Sequence, residues 1–100
     1  MGAMDIAVTG MASAEVRLAA SAHNVANLVT ERVHPLRTTQ LSVGEQSGSV
    51  ALSRQTALPE LVDTAEELVQ QVLASLQYRA SARVVQTDAA MRGSLLDLFA

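Results

Sequence analysis

The stretch that decides the fold runs from Val62 to Leu98 and reads VDTAEELVQQVLASLQYRASARVVQTDAAMRGSLLDL. Val62, Val69, Leu73, Leu76, Ala80, Val84, Thr87, Met91, Leu95 and Leu98 fall on one helical stripe, and Leu61, Ala65, Leu68 and Val72 widen it at its start. Pro59 suits a first helical turn, and Asp63-Thr64-Ala65-Glu66 has the D-x-x-E form of a capping box, so the pattern predicts a helix over 59–98. A stripe this wide on so long a helix needs more partners than one neighbouring helix supplies.

Moving outward to the N-terminal side, Ala7, Met11, Ala14, Leu18, Ala22, Val25 and Val29 recur at gaps of four and three and predict a second helix over 5–30. Asp5 places a carboxylate where the helix dipole favours one, and no proline intervenes before Pro35. Gly10 either weakens the first turns or marks a close contact with a neighbour. The intervening segment, 31–58, carries Leu41, Val43, Val50 and Leu52 at alternating positions around Gly44-Glu45-Gln46-Ser47-Gly48, which reads as a small β-hairpin or as a flexible linker. At about 1.5 Å per residue the two helices are about 39 and 60 Å long and cannot match end to end. The expected architecture is mainly α: a single domain over 1–100 whose two long helices fold back as an antiparallel coiled-coil hairpin, joined by a short β-hairpin or loop. Helix one would cover helix two from about Val72 onward, leaving Leu61, Leu68 and Val69 for the hairpin or another subunit.

Composition narrows the function. The chain of 100 residues is 49% hydrophobic, almost wholly Ala, Leu and Val, with Tyr78 and Phe99 its aromatics. All seven cations are Arg and the net charge is −3, so a nucleic-acid surface or an anionic membrane is a poor expectation. Arg17, His23, Asn24, Arg79 and Arg83 interrupt every long apolar run, so no membrane insertion is expected, and the N-terminus lacks the basic region of a cleavable secretory signal. Without cysteine there are no disulfides or thiolate metal sites. His23 and His34 lie eleven residues apart, which matches no common two-histidine metal spacing. Glu66 and Glu67 are adjacent on a helix and face different directions, so they are expected to cap and solubilise, and Arg79 and Arg83 to form a solvated face. The sequence therefore predicts no enzyme, no metal and no cofactor.

Both ends of the chain resemble the terminal segments of the bacterial flagellar axial proteins, the rod, hook and hook-associated family. Ile6-Ala7-Val8-Thr9-Gly10-Met11, then Arg17-Leu18, then Ser21-Ala22-His23-Asn24-Val25-Ala26-Asn27 is similar to the family's N-terminal motif. Val62-Asp63, Glu67-Leu68-Val69, Tyr78 to Thr87 and Met91 to Leu98 resemble its C-terminal segment, in order and at the opposite end. Leu28 to Pro35 departs from the family's turn, and the chain is short for a rod protein. The resemblance implies a structural subunit of the flagellar basal body, exported uncleaved through the type III gate into the periplasm-spanning rod. Its partners would be further copies of itself, other axial proteins and the export apparatus. An alternative is a soluble helical adaptor or regulator that binds axial proteins without polymerising. Stripe and resemblance together place the assembly interface on Met11, Leu18, Asn24, Asn27, Leu61, Leu68, Val72, Leu76, Tyr78, Val84, Met91, Leu95 and Leu98.

Overall fold

A computed structural model describes residues 2–29, 33–44 and 47–99. The chain runs helix, hairpin, helix: α1 (Ala3–Ala26), β1 (Leu36–Ser42), β2 (Ser49–Gln55) and α2 (Thr64–Phe99). Gly2 caps α1 in an extended conformation and Asn27 closes it; the expected end at Thr30 lies outside the described residues. Of the two candidate starts for α2, the chain uses the second. Asp63 Oδ1 accepts the amides of Ala65 at 3.0 Å and Glu66 at 3.4 Å, satisfying donors that the helix itself leaves free. Pro59 stands outside the helix.

β1 and β2 pair antiparallel with Leu41 opposite Val50, Thr39 opposite Leu52 and Gln40 opposite Ala51. Val43 N–H donates to Gly48 O at 3.0 Å, and Gly44 and Gly48 take the positive φ values, 76° and 91°, that turn the chain back. Glu45 and Gln46 at the tip lie outside the described residues. The sheet packs along α1 and keeps its backbone clear of α2.

The architecture is therefore not the two-helix antiparallel coiled-coil hairpin that the stripes predict. An N-terminal helix, an ordered seven-residue-per-strand hairpin seated on it, and a long C-terminal helix make up the fold. Two physical reasons account for the difference. The first is the sheet, which takes one flank of α1 as its support instead of serving as a mere joint. The second is the face used for helix packing. The residues that join α1 to α2 are Gly10, Arg17, Ser21 and Asn24 on one side and Glu67, Gln70, Gln77 and Ser81 on the other. On both helices this face is rotated from the apolar stripe by about one residue, ~100°. Small and hydrogen-bonding side chains meet there, in place of the large aliphatic knobs of a coiled coil.

The helices run antiparallel with Asn24 beside Glu67, Gly10 beside Ser81 and Gly2 near Arg92. Helix α1 thus covers α2 from its first turn, not from Val72, and the part of α2 left without α1 alongside is its C-terminal end, from Gly93 onward. Along its principal axes the molecule measures 63 × 24 × 14 Å. The shortest dimension is little more than one packing distance between elements, ~10 Å, so no further layer covers the outer faces of the described elements.

Candidate functional site

Burial in this fold is inverted relative to size. Among the described residues the buried apolar ones are Ala7, Ala14, Ala20, Pro35, Ala51 and Ala74, and beside them Ser13, Ser21, Asn24 and Glu67 are buried. Among the described residues no Leu, Val, Ile, Met, Phe or Tyr is buried. On the hairpin, the register puts Gln40, Ser42, Ser49 and Ala51 on the face from which Ser49 reaches α1, and Leu41, Val50 and Leu52 on the opposite face, in solvent. On α2, Leu68, Val72, Leu76, Val84, Met91, Leu95 and Leu98 form an exposed stripe down the whole helix.

The accessible surface follows from this. It is 7048 Å² for a chain of 10.5 kDa, against about 5,400 Å² for a compact monomer of that mass, an excess of about 1,600 Å². The radius of gyration, 17.4 Å, likewise exceeds the ~13 Å of a compact 100-residue domain. The exposed aliphatic stripe of α2 is part of this surface, and contiguous apolar faces mark sites that other molecules cover.

The inner face, by contrast, is tied by a network of polar side chains. Asn24 is its hub. Its Nδ2 donates to Leu36 O at 2.9 Å and to Glu67 Oε1 at 3.0 Å, while Leu36 N–H donates to its Oδ1 at 2.7 Å. The carboxamide so engages both backbone groups of one strand residue, as a neighbouring strand would, and fastens α2 in the same step. Ser21 Oγ donates to Glu67 O at 3.1 Å, and Arg17 reaches Gln77 Oε1 at 2.8 Å and Gln70 Oε1 at 3.1 Å. Gln77 Nε2 then donates to Gly10 O at 3.0 Å, where a Cβ on Gly10 would stand 2.6 Å from Ser81 Oγ. At the other end of α1, Thr9 Oγ1 accepts the amide of Ser49 at 3.1 Å and donates to Ile6 O at 2.6 Å. Arg37 on β1 bridges to the start of α2 through Glu60 at 3.0 Å and Glu66 at 3.2 Å, with Glu67 at 3.7 Å. The hydrogen bond that the guanidinium donates to Glu60, against a smaller desolvation cost, holds it further above the ordinary arginine value, and the charges of Glu66, Glu60 and Glu67 add to it.

The residues expected at the assembly interface fall into two groups. Leu18, Leu61, Leu68, Val72, Leu76, Tyr78, Val84, Met91, Leu95 and Leu98 are exposed, and Met11 is half-buried. Asn24 is 1% exposed with its side chain wholly engaged within the chain, and Asn27 is half-buried at the end of α1, donating from Nδ2 to His23 O at 2.8 Å. Glu67, expected to solubilise, is 3% exposed and joins the Asn24 hub. The sequence reading gives neither Arg17 nor Gln77 a role in joining the helices; the signal for Arg17 is the spacing of seven from Gly10 to Arg17 to Asn24. His34 Nδ1 lies 2.9 Å from Thr56 O, a contact that requires the proton on Nδ1, and His23 is on the surface. Among the described residues no group of three His, Asp or Glu side chains is placed to hold a metal ion, and no helix is long and apolar enough to cross a membrane.

An open trough of about 880 Å³ completes the geometry. Its floor is α1 at Ala3, Ala7 and Gly10; one wall is the hairpin at Gln40, Ser42 and Gly48, the other α2 at Ala80 and Val84. Among the described residues no charged side chain lines it. No protein-family model matches the chain, and a search of curated proteins found no match.

Proposed function

We propose that this protein is an axial structural subunit of the bacterial flagellum, built into the rod or hook region of the basal body alongside copies of itself and other axial proteins. The observation that carries the reading is the inverted burial: large aliphatic faces on both helices and on the hairpin lie outside a core of alanine and small polar residues. Such a chain gains most of its apolar burial only within an assembly. The excess surface of about 1,600 Å² equals about two interface patches of ordinary size, ~800 Å² each, which suits a chain with neighbours on two sides. Contacts of that kind between like subunits generate open filaments when the rotation does not close. The ordered pair of terminal motifs, Ile6 to Asn27 and Val62 to Leu98, supplies the flagellar assignment. In this reading the chain passes uncleaved through the flagellar export apparatus.

The test is fractionation of a flagellated host carrying the tagged chain. A structural subunit co-purifies with detergent-extracted basal bodies at full length, and its deletion abolishes motility. Recovery entirely in the soluble fraction, with intact basal bodies in the deletion strain, refutes the subunit reading and favours the adaptor.

A further inference from the structure

We infer that the trough between the hairpin tip and α2 is the docking site for the C-terminal turns of α2 from a second copy of this chain. The inference deepens the assembly reading above by naming which surfaces mate. With Asn24 beside Glu67 and Gly10 beside Ser81, the antiparallel register sets Gly2 beside Ala89, so α2 from Gly93 to Phe99 extends past the start of α1, with no helix or strand of the described residues alongside it. Leu95, Leu98 and Phe99, spaced by three and four, share one face of this overhang and are 55%, 79% and 88% exposed. Asp97 falls on the opposite face, so among the described residues the apolar side of the overhang is free of charge, as is the lining of the trough.

The chain cannot fill the trough with its own tail. Val84 on the wall and Leu98 on the tail belong to one unbroken helix and stand about 21 Å apart along it. The occupant must come from another molecule. The small residues of the floor, Ala3, Ala7 and Gly10, let a helix lie close to α1, and a space of about 880 Å³ falls in the range of clefts that enclose a ligand of several large groups, ~300–1,000 Å³. Area supports the same occupant. The excess surface corresponds to about two standard patches, and tail and trough are two separate patches on each chain that complement one another.

Since the natural chain has no cysteine, the contact is testable by single engineered thiols in the full-length protein. Leu98→Cys and Val84→Cys chains, purified separately, mixed and oxidised, are expected to give at least tenfold more crosslinked heterodimer than Leu98→Cys mixed with Leu52→Cys, whose thiol sits on the outer face of the hairpin. Equal yields from the two mixtures overturn the inference. In parallel, Leu98→Asp is expected to raise the concentration midpoint of self-association at least tenfold with an unchanged helical circular dichroism signal, because Leu98 is 79% exposed in its own fold. An unchanged midpoint, or a wild-type chain that stays monomeric at every concentration, also overturns it. Failure here is separable from failure of the flagellar assignment. Absent crosslinking with basal-body incorporation retained removes only the docking mode, whereas specific crosslinking in a chain that never enters basal bodies removes only the assignment.

Discussion

Replacing Asn24 by alanine isolates the hub on which three elements converge. The side chain is 1% exposed and makes three hydrogen bonds, two to the backbone of Leu36 and one to Glu67. Truncation removes all three and strands a strand amide, a strand carbonyl and a buried carboxyl group. A buried group left without its partner costs about 1–3 kcal/mol. Leu36 is half-buried, so water recovers part of the loss there, and the expected destabilisation is about 3–5 kcal/mol. For a small domain this is a large share of a total of about 5–15 kcal/mol. Urea denaturation at a concentration low enough to keep the chain monomeric reads it as a lowered midpoint with an unchanged slope. Asn24→Asp keeps the acceptor for Leu36 N–H but sets a second carboxylate 3.0 Å from Glu67 Oε1. It is expected to destabilise as much, and Glu67→Gln in the same chain is expected to recover at least 1 kcal/mol by restoring a donor between the two positions, about the value of one hydrogen bond. A loss below about 1 kcal/mol for Asn24→Ala, or no recovery in the double variant, refutes the hub.

Gly10→Ala drives a Cβ to 2.6 Å from Ser81 Oγ and is expected to cost about 1–3 kcal/mol by overpacking, whereas Gly93→Ala, with nothing within 4 Å, is expected to gain about 0.5–1 kcal/mol in thermal melts. Gly48→Ala combines a φ of 91° with a clash against Thr9 and is expected to weaken the hairpin, seen as faster amide exchange at Val43 and Ser49. Arg37→Ala removes a bridge whose side chain is 41% exposed, so its cost is about 1 kcal/mol or less and shrinks in high salt. The raised value on Arg37 stabilises the fold at every pH below the ordinary arginine range and is lost only above it, so this contribution is flat between about pH 5 and 9 in a pH series of melts. Deleting Leu95 to Ala100 is expected to leave the dilute monomer's melt within about 0.5 kcal/mol of the full chain while sedimentation shows association lost.

The helices are legible in the sequence because three- and four-residue recurrence of Leu and Val fixes the helical period, and the alternation of Leu41, Val43, Val50 and Leu52 fits strands. What periodicity does not carry is the identity of the partner. An apolar stripe marks a face that something must cover, and it does not say how much of that cover comes from the other helix and how much from another subunit. The face that does join them bears Gly10, Arg17, Ser21 and Asn24, a set that pattern-reading scores as polar or neutral. Its trace is the spacing of seven, in Gly10, Arg17 and Asn24 and again in Ala7, Ala14 and Ser21, visible only if small residues are weighed as packing residues. The pairing of Asn24 with Glu67 across forty-three positions leaves no local mark at all.

A division of labour explains why the two faces differ in chemistry. Hydrogen bonds are directional, so the Asn24, Arg17 and Thr9 contacts fix one register among three elements even though each contributes little net stability. Apolar contact is non-directional and scales with area, so the Leu and Val faces, turned outward, attract any surface of matching shape. A fold built with these roles exchanged would bury its leucines at home and associate weakly. Here the alanine core leaves the isolated chain marginal, because little apolar area is removed from water on folding. Association then stabilises folding by mass action, and the steepness with which melting temperature rises with protein concentration measures how far the fold depends on its neighbours. The expected result is a rise of several degrees for each tenfold increase in concentration, abolished by Leu98→Asp. A melting temperature independent of concentration would mean that the outward faces contribute nothing to the folded state, and that the inverted burial has another cause.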